Sequence, residues 1–260
     1  VLFGKSGVPS FLTIILSVLA VSSCASIEQS ENISVNQLPV EVDENKKFIE
    51  FLESDWEQTL INNPLFATYT GDKRFNDKIN PNTINQFNKD RDADLESLKK
   101  LKTINPDKLS GDNKLNYKLK KFDIESDLNL SQFPIYYLRL NQRGGIQSFY
   151  ETGNRLVYRT KNDYYDWLNR LDQFSTNIFT FLEINKEGLE NGYTQPRLVT
   201  RGVVAQIDAI INSDIESNPY LKVFLEADES LLTPIEKKDL INKAKDLING
   251  KVVEKLPWAL

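Results

Sequence analysis

Apolar residues recur at helical spacing from about residue 44 almost to the end of the chain, which leaves little room for a fold class other than mainly α. In the first stretch Phe48, Leu52, Trp56 and Leu60 follow at intervals of four, so they share one face of a helix. The strongest start signal is Thr233-Pro234-Ile235-Glu236, a capping threonine with proline in the first turn and glutamate three residues on. The sequence therefore predicts an antiparallel helical array.

Other segments also open on a capping residue, often followed by proline. They begin at Asn63-Pro64, Asn80-Pro81, Ser110, Thr160 and Gln195-Pro196. The start at Asn80-Pro81 predicts a long polar helix that ends near Leu101. We expect the helix after Thr160 to be the clearest of the chain and to stop by Gly188 or Gly192.

Several apolar series indicate which helix faces are buried. Leu115, Leu119 and Phe122 form the series of the helix after Ser110, and both Trp56 and Trp167 are expected in the core. The last helix carries Leu240, Ala244, Leu247 or Ile248, Val252 and Leu256. The closing run VVEKLPWAL is expected to be apolar and uncovered, which we interpret as a truncated or altered end of a larger domain.

One segment departs from the helical pattern. Residues 133–150 are rich in aromatic and β-branched types and contain Gly144-Gly145, which predicts a short irregular or β insertion with a turn. Within it, Asn141, Gln142, Gly144 and Gly145 are candidate substrate contacts, because glycines allow close backbone approach and amides can hold a peptide backbone. The neighbouring Tyr136, Tyr137, Phe149 and Tyr150 could line the pocket, although a structural turn with core aromatics remains the alternative.

The first residues resemble a targeting signal rather than part of the folded domain. Residues 8–21 are uncharged and apolar but too short for a membrane span, and Val21-Ser22-Ser23-Cys24 then resembles a bacterial lipobox. We predict a lipoprotein signal peptide over 1–23, acylation of Cys24, a flexible tether over 24–43 and a helical domain over 44–260. A plain signal peptide with a chance cysteine, or a buried apolar segment, are the alternatives. The prediction implies attachment to the bilayer through Cys24, in the cell envelope and on the periplasmic face of an outer membrane.

Composition removes several classes of function. The chain has no histidine and one cysteine, so histidine-based triads, HExxH zinc sites and Cys/His metal clusters are excluded within it. A net charge of -5 argues against a nucleic-acid partner. The acidic series Asp90, Asp92 and Asp94 cannot converge on one ion from a helix, and we read it as a solvated face. Glu183, Glu187 and Glu190 share a face but are likewise read as solvated charges. We therefore assign no catalytic or metal-binding residue.

A set of short phrases resembles the bacterial "domain of unknown function 885" family. In the family's order, they are Trp56-Glu57, residues 63–68, residues 71–77, residues 109–117, Asn141-Gln142 with the glycine pair, Asp163-Tyr164 with residues 167–171, and residues 188–192 followed by Pro196-Arg197. The resemblance covers roughly residues 45–250 and concerns mainly helical, secreted or lipid-anchored proteins that are more than twice as long as this chain.

The resemblance implies a zinc-metallopeptidase-like activity whose HExxH motif lies in the carboxy-terminal half of the family, with zinc as cofactor and a peptide as substrate. None of those ligands maps onto this chain, because it has no histidine. We therefore expect the N-terminal helical region of such a lipoprotein, inactive alone and without a cofactor of its own. A non-catalytic helical binding or scaffold lipoprotein is the alternative, and an orphaned remnant that folds poorly is a third.

Overall fold

A computed structural model of the chain describes residues 43–259. Cys24 and the predicted signal peptide and tether lie outside the described residues, apart from position 43. The predicted mainly α class is confirmed, since helices dominate and the described residues contain no strand. The α-helices are α1 Glu44–Asn62, α2 Pro64–Thr70, α3 Ile84–Leu101, α4 Gly111–Leu130, α5 Tyr150–Arg155, α6 Lys161–Glu190, α7 Arg197–Thr200, α8 Val203–Ile211, α9 Lys222–Leu225 and α10 Pro234–Leu247.

Helix starts follow the predicted caps with one exception. The side chains of Thr160 and Thr233 accept from the amide groups three residues on, and both form complete capping boxes. The helix expected after Asn80-Pro81 instead begins at Ile84, where the Thr83 side chain accepts from the amide of Gln86. That prediction was wrong because the backbone of Asn80 is instead hydrogen-bonded to Asn177 of α6.

The helices pack around two hydrophobic cores. The smaller core joins α1, α3 and α4 through the buried Phe48, Leu101, Tyr117 and Ile124. The larger core surrounds α6, whose Trp167, Leu171, Phe174 and Ile178 pack with residues of α8, α9 and α10. At 30 residues, α6 is the longest helix and runs along the whole of this core.

Two predicted faces are corrected. Trp56 is 48% exposed and packs edge-on against Phe66, whereas Trp167 is buried as expected. On α4 the residues Leu115, Leu119 and Phe122 are all exposed, and the buried side is instead formed by Tyr117 and Ile124.

The expectation of an uncovered carboxy-terminal run was also wrong for Val252 and Leu256. Val252 and Leu256 are fully buried in the larger core, where they continue the series of Leu240, Ala244 and Ile248. These residues follow one another every four positions, and in an α-helix each such step turns the face by about 40°. The π-helical turn Ile248–Val253 has more residues per turn and brings the face back toward the core.

The predicted insertion is irregular, as expected. Residues 133–150 contain the 3-10 turns Ile135–Leu138 and Ile146–Ser148, and its β character is limited to a single bridge between Asn141 and Gly144. Among the described residues, no helix combines the length and apolar character that crossing a bilayer requires.

Candidate functional site

A buried arginine on α6 fixes the irregular segment that follows α2. Arg170 is 1% exposed, and its Nε donates to the carbonyl of Lys78 at 2.9 Å. Its Nη2 donates to the carbonyls of Pro64 and Phe75 at 3.2 and 3.1 Å and to the hydroxyl of Thr68 at 2.6 Å. Burial lowers the pKa of this guanidinium, and the four acceptors replace the water that it has lost.

Two amides continue the same face of α6. Gln173 Nε2 donates to the carbonyl of Asp77 at 2.6 Å, and Asn177 Nδ2 donates to the carbonyl of Asn80 at 2.9 Å. Positions 170, 173 and 177 are spaced by three and four residues, so they lie on one side of the helix. They therefore hold the irregular backbone of residues 77–82 against α6 as a wall that belongs to no helix or strand.

This wall bounds a cavity of about 670 Å³, which we call the α6 pocket. Such a volume lies within the range of about 300–1,000 Å³ that is usual for small-ligand sites. Its apolar lining is rich in aromatic rings, namely Phe66, Tyr69, Phe87, Phe149, Phe174 and Phe181. Its polar lining is mostly amide, namely Asn63, Asn80, Asn82, Gln86 and Asn177. The charged groups that line it are Asp90 and Arg139.

The predicted glycine turn closes one side of the pocket. Asn141 and Gly144 exchange two backbone hydrogen bonds at 3.0 and 3.2 Å, and this closes the turn. Gly145 has φ of +140°, a conformation that side chains disfavour, and a Cβ there would lie 2.6 Å from Gln147 Oε1. The buried Gln147 donates from Nε2 to the carbonyl of Asn141 at 2.8 Å, which supports the turn from beneath.

The structure separates the four predicted contacts into two pairs. Gly144 and Gly145 line the α6 pocket, whereas Asn141 and Gln142 do not. Asn141 Oδ1 accepts from the amide of Arg143 at 2.9 Å, so it shapes the turn itself. The backbone of Gln142 donates to the carbonyl of Val199 at 2.8 Å and thereby ties the turn to α7.

Arg139 is a charged pocket residue that sequence reasoning missed. Its Nη1 donates to Asn82 Oδ1 at 2.8 Å, and its guanidinium lies 5.1 Å from the centroid of the Phe87 ring. Arg139 is exposed at the pocket surface, and the partial desolvation of its guanidinium by neighbouring residues lowers its pKa. It forms no ion pair within residues 43–259, and its one side-chain contact with a protein acceptor is the hydrogen bond to Asn82.

The predicted aromatic neighbours divide between pocket and support. Phe149 lines the pocket, and Tyr136 stacks at 5.2 Å on the pocket residue Phe87. Tyr137 donates from its hydroxyl to Glu187 at 2.7 Å, and this hydrogen bond raises the pKa of the tyrosine. Tyr150 packs edge-on against Tyr220 in the larger core.

The carboxylates of the described residues do not assemble a metal site. No three acidic or cysteine side chains between residues 43 and 259 are grouped so that they could hold an ion. Asp90 accepts from Gln86 at 2.8 Å, Asp92 pairs with Arg91 at 3.3 Å, and Asp94 faces the α1–α4 side.

A second cavity of about 570 Å³ lies beside α10. Two of its three lysines already have partners, since Lys237 donates to the carbonyl of Ala227 and pairs with Glu229, and Lys245 pairs with Glu216. Its lining comes from one helix and the turn before it, without converging polar groups, so the α6 pocket is the better candidate.

A signal for the missed wall is present in the sequence. The segment Asn80-Pro81-Asn82 was predicted to start a helix. In the structure it follows Lys78, whose carbonyl binds Arg170, and the carbonyl of Asn80 accepts from Asn177. Polar residues at positions 170, 173 and 177 interrupt the apolar face of the clearest helix of the chain. Such a polar stripe on a buried helix indicates that irregular backbone is hydrogen-bonded there.

Comparison with known proteins extends over most of the chain. The profile of a family described as "Bacterial protein of unknown function (DUF885)" matches residues 64–257. The fold is similar to the crystal structure of a protein described as a candidate lipoprotein of Colwellia psychrerythraea, with a TM-score of 0.67 and 16% identity. The match covers 84% of this chain and 40% of that one, so the chain spans well under half the length of that solved structure. No curated protein matches the sequence.

Proposed function

Because the chain belongs to the DUF885 family of bacterial proteins, we propose that it forms the N-terminal helical region of a cell-envelope lipoprotein resembling zinc-dependent metallopeptidases. In this proposal the region forms a wall of the substrate cleft and does not itself cleave the peptide. The observation that carries it is that a chain matching the family over residues 64–257 contains no histidine at all. Metallopeptidase zinc sites use histidine pairs with a glutamate, so the cutting residues must come from outside this chain.

The α6 pocket supports the role of a cleft wall. It combines amide groups that can hydrogen-bond a peptide backbone with aromatic rings that can accept apolar side chains. Its glycine turn presents Gly144, where a Cβ would meet no atom within 4 Å, so the surface beside the backbone is open. A ligand main chain can approach the turn closely at that point.

The proposed location rests on the sequence around Cys24 and on the fold likeness to a candidate lipoprotein. Acylation of Cys24 attaches the protein to the bilayer, with the outer membrane as the expected destination. Metabolic labelling with a fatty acid tests this step. The chain is expected to take up label and to sediment with membranes, and Cys24→Ser is expected to lose both; label retained by that variant would contradict the anchor.

Metal content and cleavage test the catalytic part of the proposal. Elemental analysis of the purified 260-residue chain is expected to find no stoichiometric zinc, and peptide mixtures are expected to stay intact. A longer form that carries HExxH is expected to hold about one zinc per chain. Cleavage by the 260-residue chain that a chelator blocks would overturn the proposal.

A second candidate is a non-catalytic binding lipoprotein. The observation that favours it is that the α6 pocket already combines aromatic and amide groups in a cavity of about 670 Å³. The genomic sequence downstream of the codon for Leu260 separates the two candidates. An open frame with HExxH, in frame or displaced by one base, supports the peptidase region; a clean stop followed by an unrelated gene supports the binding module.

A further inference from the structure

We propose that the α6 pocket binds the free carboxylate at the C-terminus of a peptide, with Arg139 as the carboxylate-binding residue and the aromatic wall as the site of the last side chain. The inference rests on the proposed peptide-binding role and specifies which end of the peptide the pocket recognises. Four observations on the described residues carry it.

The first observation is that Arg139 has donors to spare. A guanidinium carries five N–H groups, and the contact of Arg139 with a protein acceptor is the one from Nη1 to Asn82 Oδ1. By contrast, Arg74 spends its donors on Glu57 and Asp72, with both Glu57 oxygens at 2.7 Å. Arg170 is 1% exposed, and its Nε and Nη2 donate to four protein oxygens, so it is closed to a ligand. Arg139 is therefore equipped for a ligand in a way that these two arginines are not.

The second observation is that the guanidinium plane is held in place. The Phe87 ring lies 5.1 Å from it and Asn82 binds one of its edges. Phe87 is itself stacked on Tyr136 at 5.2 Å, and Asn82 is fixed because its amide donates to Asn177 Oδ1 at 3.4 Å. A fixed planar fork matches the two oxygens of a carboxylate, and the fixing reduces the entropy lost on binding.

The third observation concerns charge. No carboxylate of the described residues pairs with Arg139, and the desolvation that lowers its pKa also makes a neighbouring anion favourable. Asp90 lines the same pocket, where it accepts from Gln86 at 2.8 Å. Its negative charge disfavours a dianion such as phosphate more than a single carboxylate.

The fourth observation is the apolar surface beside Arg139. Phe66, Phe87, Phe149 and Phe174 line the same cavity of about 670 Å³. These rings can bury an aromatic or branched apolar side chain away from water, which favours binding. A carboxylate next to an apolar side chain is the chemistry of a hydrophobic C-terminal residue.

Calorimetric titration of the full chain in mild non-ionic detergent tests the ligand side. The probes are Ala-Ala-Phe, its C-terminal amide, free phenylalanine and inorganic phosphate. The free-acid tripeptide is expected to bind at least tenfold more tightly than each of the other three, a difference of about 1.4 kcal/mol. Equal binding of acid and amide, equal or tighter binding of phosphate or free phenylalanine, or no tripeptide binding up to 10 mM (roughly a −2.7 kcal/mol threshold) would each overturn the inference.

Matched variants test the protein side. Arg139→Gln is expected to weaken tripeptide binding at least tenfold, and Arg139→Lys by an intermediate factor, because lysine keeps the charge but loses the planar fork. Arg143→Gln removes the same charge four residues away, outside the pocket lining, and is expected to bind as the parent does. Unchanged binding by Arg139→Gln would contradict the assignment of this residue.

A folding control keeps the variants informative. Circular dichroism and the melting temperature of Arg139→Gln are expected to match the parent, and if they do not, the acid–amide comparison on the parent chain decides alone. Failure of carboxylate recognition leaves the zinc and acylation tests untouched. Failure of the zinc and acylation tests would instead contradict the proposed function and leave the carboxylate-binding inference unaffected.

Discussion

At the scale of single residues, the surroundings of three arginines assign them three different tasks. Arg170 is buried under carbonyl oxygens and holds the chain together, whereas Arg74 makes a paired cluster with Glu57 and Asp72 on the surface. Arg139 lies at the pocket with one protein acceptor. Sequence alone could not distinguish them, because each difference lies in contacts with residues distant along the chain.

Removal of Arg170 is expected to destabilise the fold strongly. Arg170→Met removes four hydrogen bonds from a buried charged group and leaves the carbonyl of Lys78 without its donor, whereas the carbonyls of Pro64 and Phe75 keep donors from Thr68 and Lys78. A hydrogen bond to a charged group contributes about 1.5–3 kcal/mol. We expect the free energy of unfolding in urea to fall by at least about 3 kcal/mol. Arg201→Gln, at an exposed position, is the control and should change it by less than about 0.5 kcal/mol. A similar small effect for both variants would refute the role of Arg170.

Asp94 is expected to make stability depend on pH near neutrality. Burial, followed by the charges of Asp127, Asp90 and Asp55, raises the pKa of Asp94 from 3.8 to about 6. A folded-state pKa above the unfolded value gives stability that is present below pH 3.8 and is lost as pH rises through about 6. Asp94→Asn should therefore be more stable than the parent at pH 7.5, by about 1 kcal/mol after discounting for partial exposure.

Urea titrations of both chains at pH 4.5 and pH 7.5 measure this difference. The parent should lose more of its unfolding free energy between the two values than Asp94→Asn does. A variant that is less stable than the parent by the same amount at both values would contradict the raised pKa.

At the scale of elements, α4 shows why a helical pattern fixes a helix better than it fixes the buried face. The helix has two apolar stripes, one through Leu115 and Leu119 and one through Tyr117 and Ile124. The sequence pattern assigns the buried face to the first, whose residues Leu115, Leu119 and Phe122 follow at helical spacing. In the fold Lys120 pairs with Asp55 of α1 at 2.6 Å, so this charge is accommodated on the packed side.

Truncation of a residue in each stripe should change the free energy of unfolding by very different amounts. Ile124→Ala removes a buried side chain from the smaller core and is expected to cost about 2–5 kcal/mol of unfolding free energy. Leu119→Ala, on the exposed stripe, is expected to change it by less than about 0.5 kcal/mol. Urea denaturation followed by circular dichroism measures both. A larger cost for Leu119→Ala would restore the face that the sequence pattern indicated.

Gly188 tests the packing of α6 against the irregular insertion. It was predicted as a possible helix end, yet α6 continues to Glu190 and a Cβ at Gly188 would lie 2.8 Å from Tyr137. Gly188→Ala is expected to destabilise by about 1–3 kcal/mol, despite the better helix propensity of alanine. Gly250→Ala is the matched control, since its Cβ meets no atom within 4 Å, and it should be neutral or stabilising. Thermal melts that rank the two variants in the reverse order would refute this packing.

At the scale of the whole molecule, the sequence could predict the helices but not the cavity between them. Caps and periodicity located Thr160, Thr233 and most buried residues of α6 and α10, because these signals act within a few residues. The α6 pocket depends on hydrogen bonds between residues more than 90 positions apart, such as those from Arg170 and Gln173 to residues 77–78. The glycine turn could be predicted because neighbouring residues determine it. Arg139 was missed because the absence of a carboxylate beside it depends on residues distant along the chain.

The central claim is that this chain binds a peptide end in the α6 pocket and does not cleave it. Addition of Ala-Ala-Phe to the isotopically labelled chain, followed by nuclear magnetic resonance, tests both halves at once. We predict shifts concentrated at the amides of Asn82, Phe87, Gly144 and Gly145, with the peptide signals unchanged after prolonged incubation. Shifts confined to residues elsewhere, such as the surface of α10, or the appearance of free phenylalanine, would contradict it.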